Sequence, residues 1–200
     1  MLKGLLMGDG DLHRRNDPNP LFRVRMINKD FLEYLSNSLE VLSNGVFLAR
    51  TATEMANQAS KNQQQEIDGF ETVNKENYHD LYGMRTVSHP DLKQFVSWYR
   101  SGTKRYPTDL QLTPEVTRMW YVCDGWLAVD SKSTDNPRVM IKAANEKDRS
   151  EYLIGLFEEA GFNAGFSRES IQISAHDTPR LLEWMGDAPP GFQKKWNIPS

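Results

Sequence analysis

The spacing of apolar and polar positions along the 200-residue chain changes several times, and each change marks the edge of an element. Leu2–Met7 is a short apolar stretch stopped by Gly10 and reads as a helix. Over residues 22–27 the period drops to two: Phe22, Val24 and Met26 point one way, Arg23 and Arg25 the other, as in a half-buried strand. After Asn28 a helical period begins, with Phe31, Leu32, Leu35 and Leu39 on one face. Two more strands are predicted around 45–51 and 81–87, and a closing helix carries Leu92, Phe95, Val96 and Tyr99. Residues 52–80 are polar, with the run Asn62-Gln63-Gln64-Gln65, and read as a long loop or a mobile hairpin tip.

The same order is then written again. Thr113-Pro114-Glu115 supplies an N-cap, a proline at the first helical position and a first-turn acid. Over 138–142, Arg138 and Lys142 stand opposite Val139 and Ile141; a helix after Asn145 carries Leu153, Leu156 and Phe157. Strands follow around Gly165 and over 170–174, then a helix with Leu181, Leu182 and Trp184. Local matches tie the copies together. An apolar run ends in Gly8-Asp9-Gly10 and again in Cys123-Asp124-Gly125, and Lys29-Asp30 leading to Glu33-Tyr34-Leu35 returns as Lys147-Asp148 leading to Glu151-Tyr152-Leu153. Ser88-His89 and Ser174-Ala175-His176 precede the closing helices, and each copy ends on a basic pair and an aromatic, Lys104-Arg105-Tyr106 and Lys194-Lys195-Trp196. One match could be chance; several in one order make duplication the better reading. The predicted fold is α+β, two pseudo-symmetric αββαββα repeats over 1–107 and 108–200.

Composition narrows the function classes. A hydrophobic content of 38% with 10% aromatics supports an ordinary core rather than disorder. No apolar run reaches the ~18–20 residues that span a bilayer, and no signal-peptide pattern follows Met1, so a soluble, intracellular protein is expected. Cys123, the single cysteine, excludes an internal disulfide and a multi-cysteine zinc site. A net charge of −3 counts against a nucleic-acid binder unless the basic residues gather on one surface. His13, His79, His89 and His176 lack metal-ligand spacing and read as structural or surface residues, with His89 and His176 at helix entries. Glu33/Glu151 and Tyr34/Tyr152 recur on helices and read as structural.

A lone Asp-Gly is usually a plain turn. Here Leu2-Lys3-Gly4-Leu5-Leu6-Met7-Gly8-Asp9-Gly10 fits the LAGLIDADG motif at its Leu, Gly, Leu, Asp and Gly positions. The second copy, 117–125, has Thr117, Met119 and Trp120 in place of Leu, Gly and Leu but keeps Cys123, Asp124 and Gly125. The phrase from Lys104 and Pro107 through Leu112-Thr113-Pro114-Glu115 and Trp120-Tyr121 to Asp124-Gly125 resembles the segment joining the halves of single-chain members. Nearly the whole chain therefore resembles the LAGLIDADG homing endonuclease family, single-chain type. The first motif starts at Leu2, as in a chain trimmed or excised from a larger protein.

Gly4 and Gly8 lie on one helical face and allow a second helix to approach closely; Cys123, small and apolar, suits the same contact. If the two motif helices pack side by side, Asp9 and Asp124 meet at their C-terminal, negative ends. Two carboxylates so placed repel unless a divalent cation sits between them, and Mg²⁺, with its preference for oxygen ligands, suits that place. The resemblance implies that Asp9 and Asp124 are metal-binding catalytic acids, one per strand cut, with Gly8 and Cys123 counted among the metal-site residues and Mn²⁺ able to substitute. It also implies that Lys104 and Lys195 are active-site lysines that organise water and transition-state charge.

The partner implied is double-stranded DNA with a long specific site, gripped by antiparallel sheets that form a saddle. A strand ribbon fits the major groove, where Arg reads guanine and Gln reads adenine. Candidate contacts are Arg14, Arg15, Arg23, Arg25, Arg138, Lys142 and Gln172, extended by Lys61 and Gln63. Any one of these is better read as a solvated strand face; together they would make a basic surface. The expected function is a monomeric, site-specific double-strand DNA endonuclease of the intron- or intein-mobility kind. The rivals are an RNA maturase on the same fold and a non-cleaving DNA-binding regulator; the regulator would be free to lose its carboxylates, and both are kept.

Overall fold

The chain opens with α1 (Leu2–Met7), β1 (Asp11–His13), β2 (Leu21–Met26) and α2 (Lys29–Leu39). A computed structural model describes residues 1–14, 17–66, 75–100, 103–130 and 133–198; Arg15 and the side chain of Gln63 lie outside the described residues. The Asn28 side chain caps α2 by accepting the Phe31 N–H, and Phe31, Leu32 and Leu35 are buried as their spacing predicts. β3 (Ser43–Arg50) and β4 (Leu81–Thr86) complete an antiparallel sheet in the order β1-β2-β4-β3.

After a two-stranded ribbon, β5 (Tyr99–Arg100) with β6 (Thr103–Lys104), the pattern repeats. α4 (Pro114–Asp124) runs into β7 (Gly125–Asp130), β8 (Ser133–Lys142), α5 (Ser150–Glu159), β9 (Ala164–Ser167) and β10 (Ser170–Ile173). The second sheet is ordered β7-β8-β10-β9, strand for strand like the first. The protein is thus α+β, with two antiparallel four-stranded sheets. In the first sheet Asp11 lies beside Arg23 and Arg23 beside Arg85; in the second, Trp126 lies beside Met140 and Met140 beside Gln172. By that register Arg25 corresponds to Lys142.

The expected loop over 52–80 is corrected: α3 spans Ala52–Glu66 and a 3₁₀ turn spans Lys75–Asn77. Polarity hid a helix made of good helix formers. Its start is a capping box, in which Thr51 Oγ1 accepts the Glu54 N–H at 3.2 Å and Glu54 Oε2 accepts the Thr51 N–H at 2.7 Å. The closing helix of the first half is 3₁₀ (Pro90–Trp98), entered through the His89 ring, whereas its counterpart α6 (Thr178–Met185) is α-helical and entered through Asp177. Lys147, Asp148 and Arg149 sit in a 3₁₀ turn before α5 rather than inside it.

α1 and α4 pack against each other at the centre, and the inner faces of both sheets, with Phe22, Val24, Met84, Val139, Ile141 and Ile171, join them in one continuous core. The two halves meet a shared need by different means. The buried Phe22 N–H donates to Thr86 Oγ1 at 3.0 Å, and the equivalent Val139 N–H to Thr178 Oγ1 at 3.0 Å, although Thr86 ends a strand and Thr178 begins a helix. Among the described residues no helix is long and apolar enough to cross a membrane.

Candidate active site

The contact between α1 and α4 is close enough to exclude side chains. A Cβ on Gly4 would lie 2.1 Å from the Val116 carbonyl oxygen, and one on Gly8 would lie 2.2 Å from Cys123 Cβ and 3.3 Å from an Asp124 carboxylate oxygen. Only glycine permits either approach. Burial pushes the Cys123 thiol up to about 12, so it is protonated and serves as packing.

This crossing brings Asp9 and Asp124 together. Asp9 is exposed and Asp124 half-buried. Burial, then the nearby Asp9 charge, raises the Asp124 carboxyl from 3.8 to about 6, opposed by Lys104, Lys195 and Lys142. Desolvation where the two helix ends crowd together likewise raises the Asp9 carboxyl, although the residue keeps an exposed edge, and Lys104 and Lys195 oppose the shift. Each acid is flanked by a lysine that grips the end of its own motif helix. Lys104 Nζ donates to the carbonyls of Gly8 and of Gly10, the latter at 3.2 Å. Lys195 Nζ donates to Val122 at 2.7 Å, Gly125 at 2.6 Å and Tyr121 at 3.3 Å. Positive ammonium groups at these negative helix ends are favourable, although burial lowers the pKa of both. Lys195, not its neighbour Lys194, is the counterpart of Lys104; Lys194 is exposed. The Gly8 carbonyl is engaged by Lys104. Among the described residues no three His, Cys, Asp or Glu side chains come together as a ready cation cage.

The other candidates lie along the sheets. Neighbours in an antiparallel register share a face, so Arg23, Arg25, Arg138, Lys142 and Gln172 all stand on the outer faces, away from the core. Arg25, Arg138 and Lys142 are exposed, Gln172 is half-buried, and Arg14 is exposed beyond β1. Lys142 also lines the cleft containing Asp124 and Lys104, which joins the second sheet to the acid pair. Arg23 is tied down: its guanidinium forms a two-pronged pair with Asp11 at 2.7 and 2.7 Å. Sequence reading missed Arg85, which stands beside Arg23 with its guanidinium 5.6 Å from the Phe47 ring centre. It also missed Phe47, whose ring covers Gly83, and Trp126, 42% exposed. The signal for Arg85 was present, since β4 alternates Gly83, Met84, Arg85, Thr86 with Met84 inward.

A model of the LAGLIDADG DNA endonuclease family matches residues 1–173. The chain belongs to that family. Among solved structures it is similar to the LAGLIDADG homing endonuclease I-GzeII, crystallised in complex with its DNA target, at 11% identity and a TM-score of 0.35, the match covering 100% of this chain and 84% of that one. No curated protein matches. In this LAGLIDADG chain the substitutions of the second motif fall where the helices meet the core: Thr117, Met119 and Trp120 are all fully buried. The acid and the small residue before it are retained in both motifs.

Proposed function

We propose that this chain is a site-specific double-strand DNA endonuclease, a monomer with an internal pseudo-twofold built from repeats 1–107 and 108–200. Asp9 and Asp124 would hold Mg²⁺, or Mn²⁺ in its place, with backbone carbonyls such as that of Cys123, water and phosphate oxygens completing the shell. The observation that carries the reading is the convergence of two acids and two lysines at the crossing of the motif helices, beside Lys142 at the end of an outer sheet face. The donors fit a hard cation: both acids offer oxygens, and the protonated Cys123 thiol does not compete. The bound cation supplies water activation and charge stabilisation at the leaving oxygen. The protein supplies placement. Lys104 and Lys195 fix the carbonyl ends around each acid and offset the carboxylate charge, while Arg25, Arg138, Lys142 and Gln172 hold the duplex across the acids.

The test is cleavage of a randomised duplex library in Mg²⁺ by the wild type and by Asp9→Asn and Asp124→Asn variants. A long two-part site cut on both strands is expected, with each variant reduced to nicking or inactive. Sequence-selective retention without cutting would favour a regulator, and preference for intron RNA with no action on DNA would favour a maturase.

A further inference from the structure

Glu146 is fully buried and lies outside the acid pair, yet it is wired to it. Its Oε1 accepts the Tyr106 N–H at 2.7 Å, and its Oε2 accepts from Arg149 Nε at 2.8 Å. Arg149 Nη2 donates to the same carboxylate and, at 2.8 Å, to the Tyr106 carbonyl. Tyr106 is thus held by both backbone groups from a turn 40 residues onward in the second half. A buried carboxylate is costly unless paired and hydrogen-bonded, and all of this one's bonds go to Arg149 and the Tyr106 backbone. From Tyr106 the link continues to Asp9. The Tyr106 hydroxyl donates to the Met7 carbonyl at 2.8 Å, and Lys104, two residues upstream, donates to the carbonyls of Gly8 and Gly10. The backbone on both sides of Asp9 is therefore set by one short segment, anchored in the opposite half.

The reverse holds at Asp124. Lys195 grips the carbonyls around it, and the Lys195 carbonyl accepts from the Tyr121 hydroxyl at 2.8 Å. The segment bearing Lys195 lies against the first half: Asn28 Nδ2 donates to the Pro190 carbonyl at 3.2 Å, and Phe192 meets Phe31 edge-on at 5.1 Å. Gly191 makes that approach possible, with φ of +79° and a position where a Cβ would lie 1.8 Å from Asn28 Nδ2.

We propose that each cutting centre is positioned from the opposite half. Glu146 and Arg149 set Lys104 and the Asp9 end of α1, and the Asn28–Gly191 contact sets Lys195 and the Asp124 end of α4. Glu146, Arg149, Asn28 and Gly191 are positioning residues, and the inference rests on the endonuclease reading for its consequence in cleavage. The crossed anchoring couples the two strand cuts to correct docking of the halves.

The test uses the full chain with E146Q and G191A. E146Q keeps an acceptor for Tyr106 but can turn an amide toward the Arg149 donors; G191A adds a Cβ where Asn28 stands. Each strand of a duplex carrying the selected site is end-labelled, and Lys104→Met and Lys195→Met identify which strand belongs to which centre. E146Q is expected to slow the Lys104 strand roughly 10- to 100-fold, leaving the other strand and DNA affinity near wild type. G191A is expected to give the opposite bias. Equal slowing of both strands, or no slowing, would overturn the proposal. In parallel, water exchange of the lysine ammonium protons is followed by NMR: E146Q must speed exchange at Lys104 and not at Lys195. If the wild type cuts no DNA, the endonuclease reading fails by itself; unchanged Lys104 exchange would then still sink the positioning claim, and selective loss of protection would uphold it.

Discussion

Asp124 combines two opposing demands. Its carboxyl is raised to about 6 by burial and by Asp9, so the folded, metal-free protein binds a proton there more tightly than the unfolded chain does. The sign follows: this group favours the fold below its ordinary value of 3.8, and that contribution is lost as pH rises through about 6. Near neutral pH the charged form costs on the order of 2–3 kcal/mol. Asp124→Asn should therefore raise the melting temperature of chelator-treated protein at pH 7.5 by roughly 4–10 °C, and the advantage should vanish at pH 4. Added Mg²⁺ should stabilise the wild type at pH 7.5 and leave the Asn variant unmoved. Equal melting of the two proteins at both pH values would show that Asp124 bears no such burden. Both acids were legible in the sequence because Asp-Gly after an apolar run is a local signature. The lysine partners were legible only as a basic pair near the end of each copy. That Lys195 rather than Lys194 faces the carbonyls of α4 depends on how the C-terminal segment lies across the core.

Among the elements, the α1–α4 pair is the most sharply determined. Gly8 and Cys123 fill one space, so adding a methyl to either side must push the helices apart. Gly8→Ala should cost roughly 1–3 kcal/mol in urea unfolding. Combining it with Cys123→Gly should recover part of that loss, because the new methyl then enters the space vacated by the thiol. Purely additive losses in the double variant would contradict the close contact. The strands and α2 were readable because a period of two or a capped helical stripe is written in consecutive residues. α3 was not read: the Thr51–Glu54 capping box that marks its start is local, but the polar composition of 52–80 lacks an apolar stripe and reads as a loop. The 3₁₀ form of Pro90–Trp98 was not readable, since 3₁₀ and α segments share apolar spacings and tertiary packing selects between them.

At the scale of the whole molecule, a chain of net charge −3 can still offer a basic surface. Arg25, Arg85, Arg138 and Lys142 stand on the outer sheet faces, while exposed acids such as Asp30, Glu33, Glu151, Glu158 and Glu159 lie on α2 and α5, which pack on the inner faces. If the outer faces take the duplex, log affinity should fall linearly with log salt. Arg25→Ala and Arg138→Ala should each weaken binding and reduce that slope by about one where a phosphate contact is lost. Lys29→Ala, on α2 and paired with Glu33 at 2.9 Å, should change neither. Fluorescence anisotropy across a salt series measures all three; equal slopes for every variant would place the DNA elsewhere.

The sequence by itself determined the duplication, most of the element order, the inward and outward faces of the strands and the paired Asp-Gly steps that end the two motifs. Those features are local: turn chemistry, capping and periodicity act over a few residues, and two similar stretches fold alike. Tertiary structure decided what long-range packing controls. Arg23 is held by Asp11 across a strand pair rather than left free, Phe47 covers Gly83 beneath Arg85, and Lys104 reaches carbonyls 96 and 94 residues away. The crossed anchors of Glu146 on Tyr106 and of Asn28 on Pro190 belong to the same class. No local pattern specifies them, because each depends on how two separately patterned halves meet.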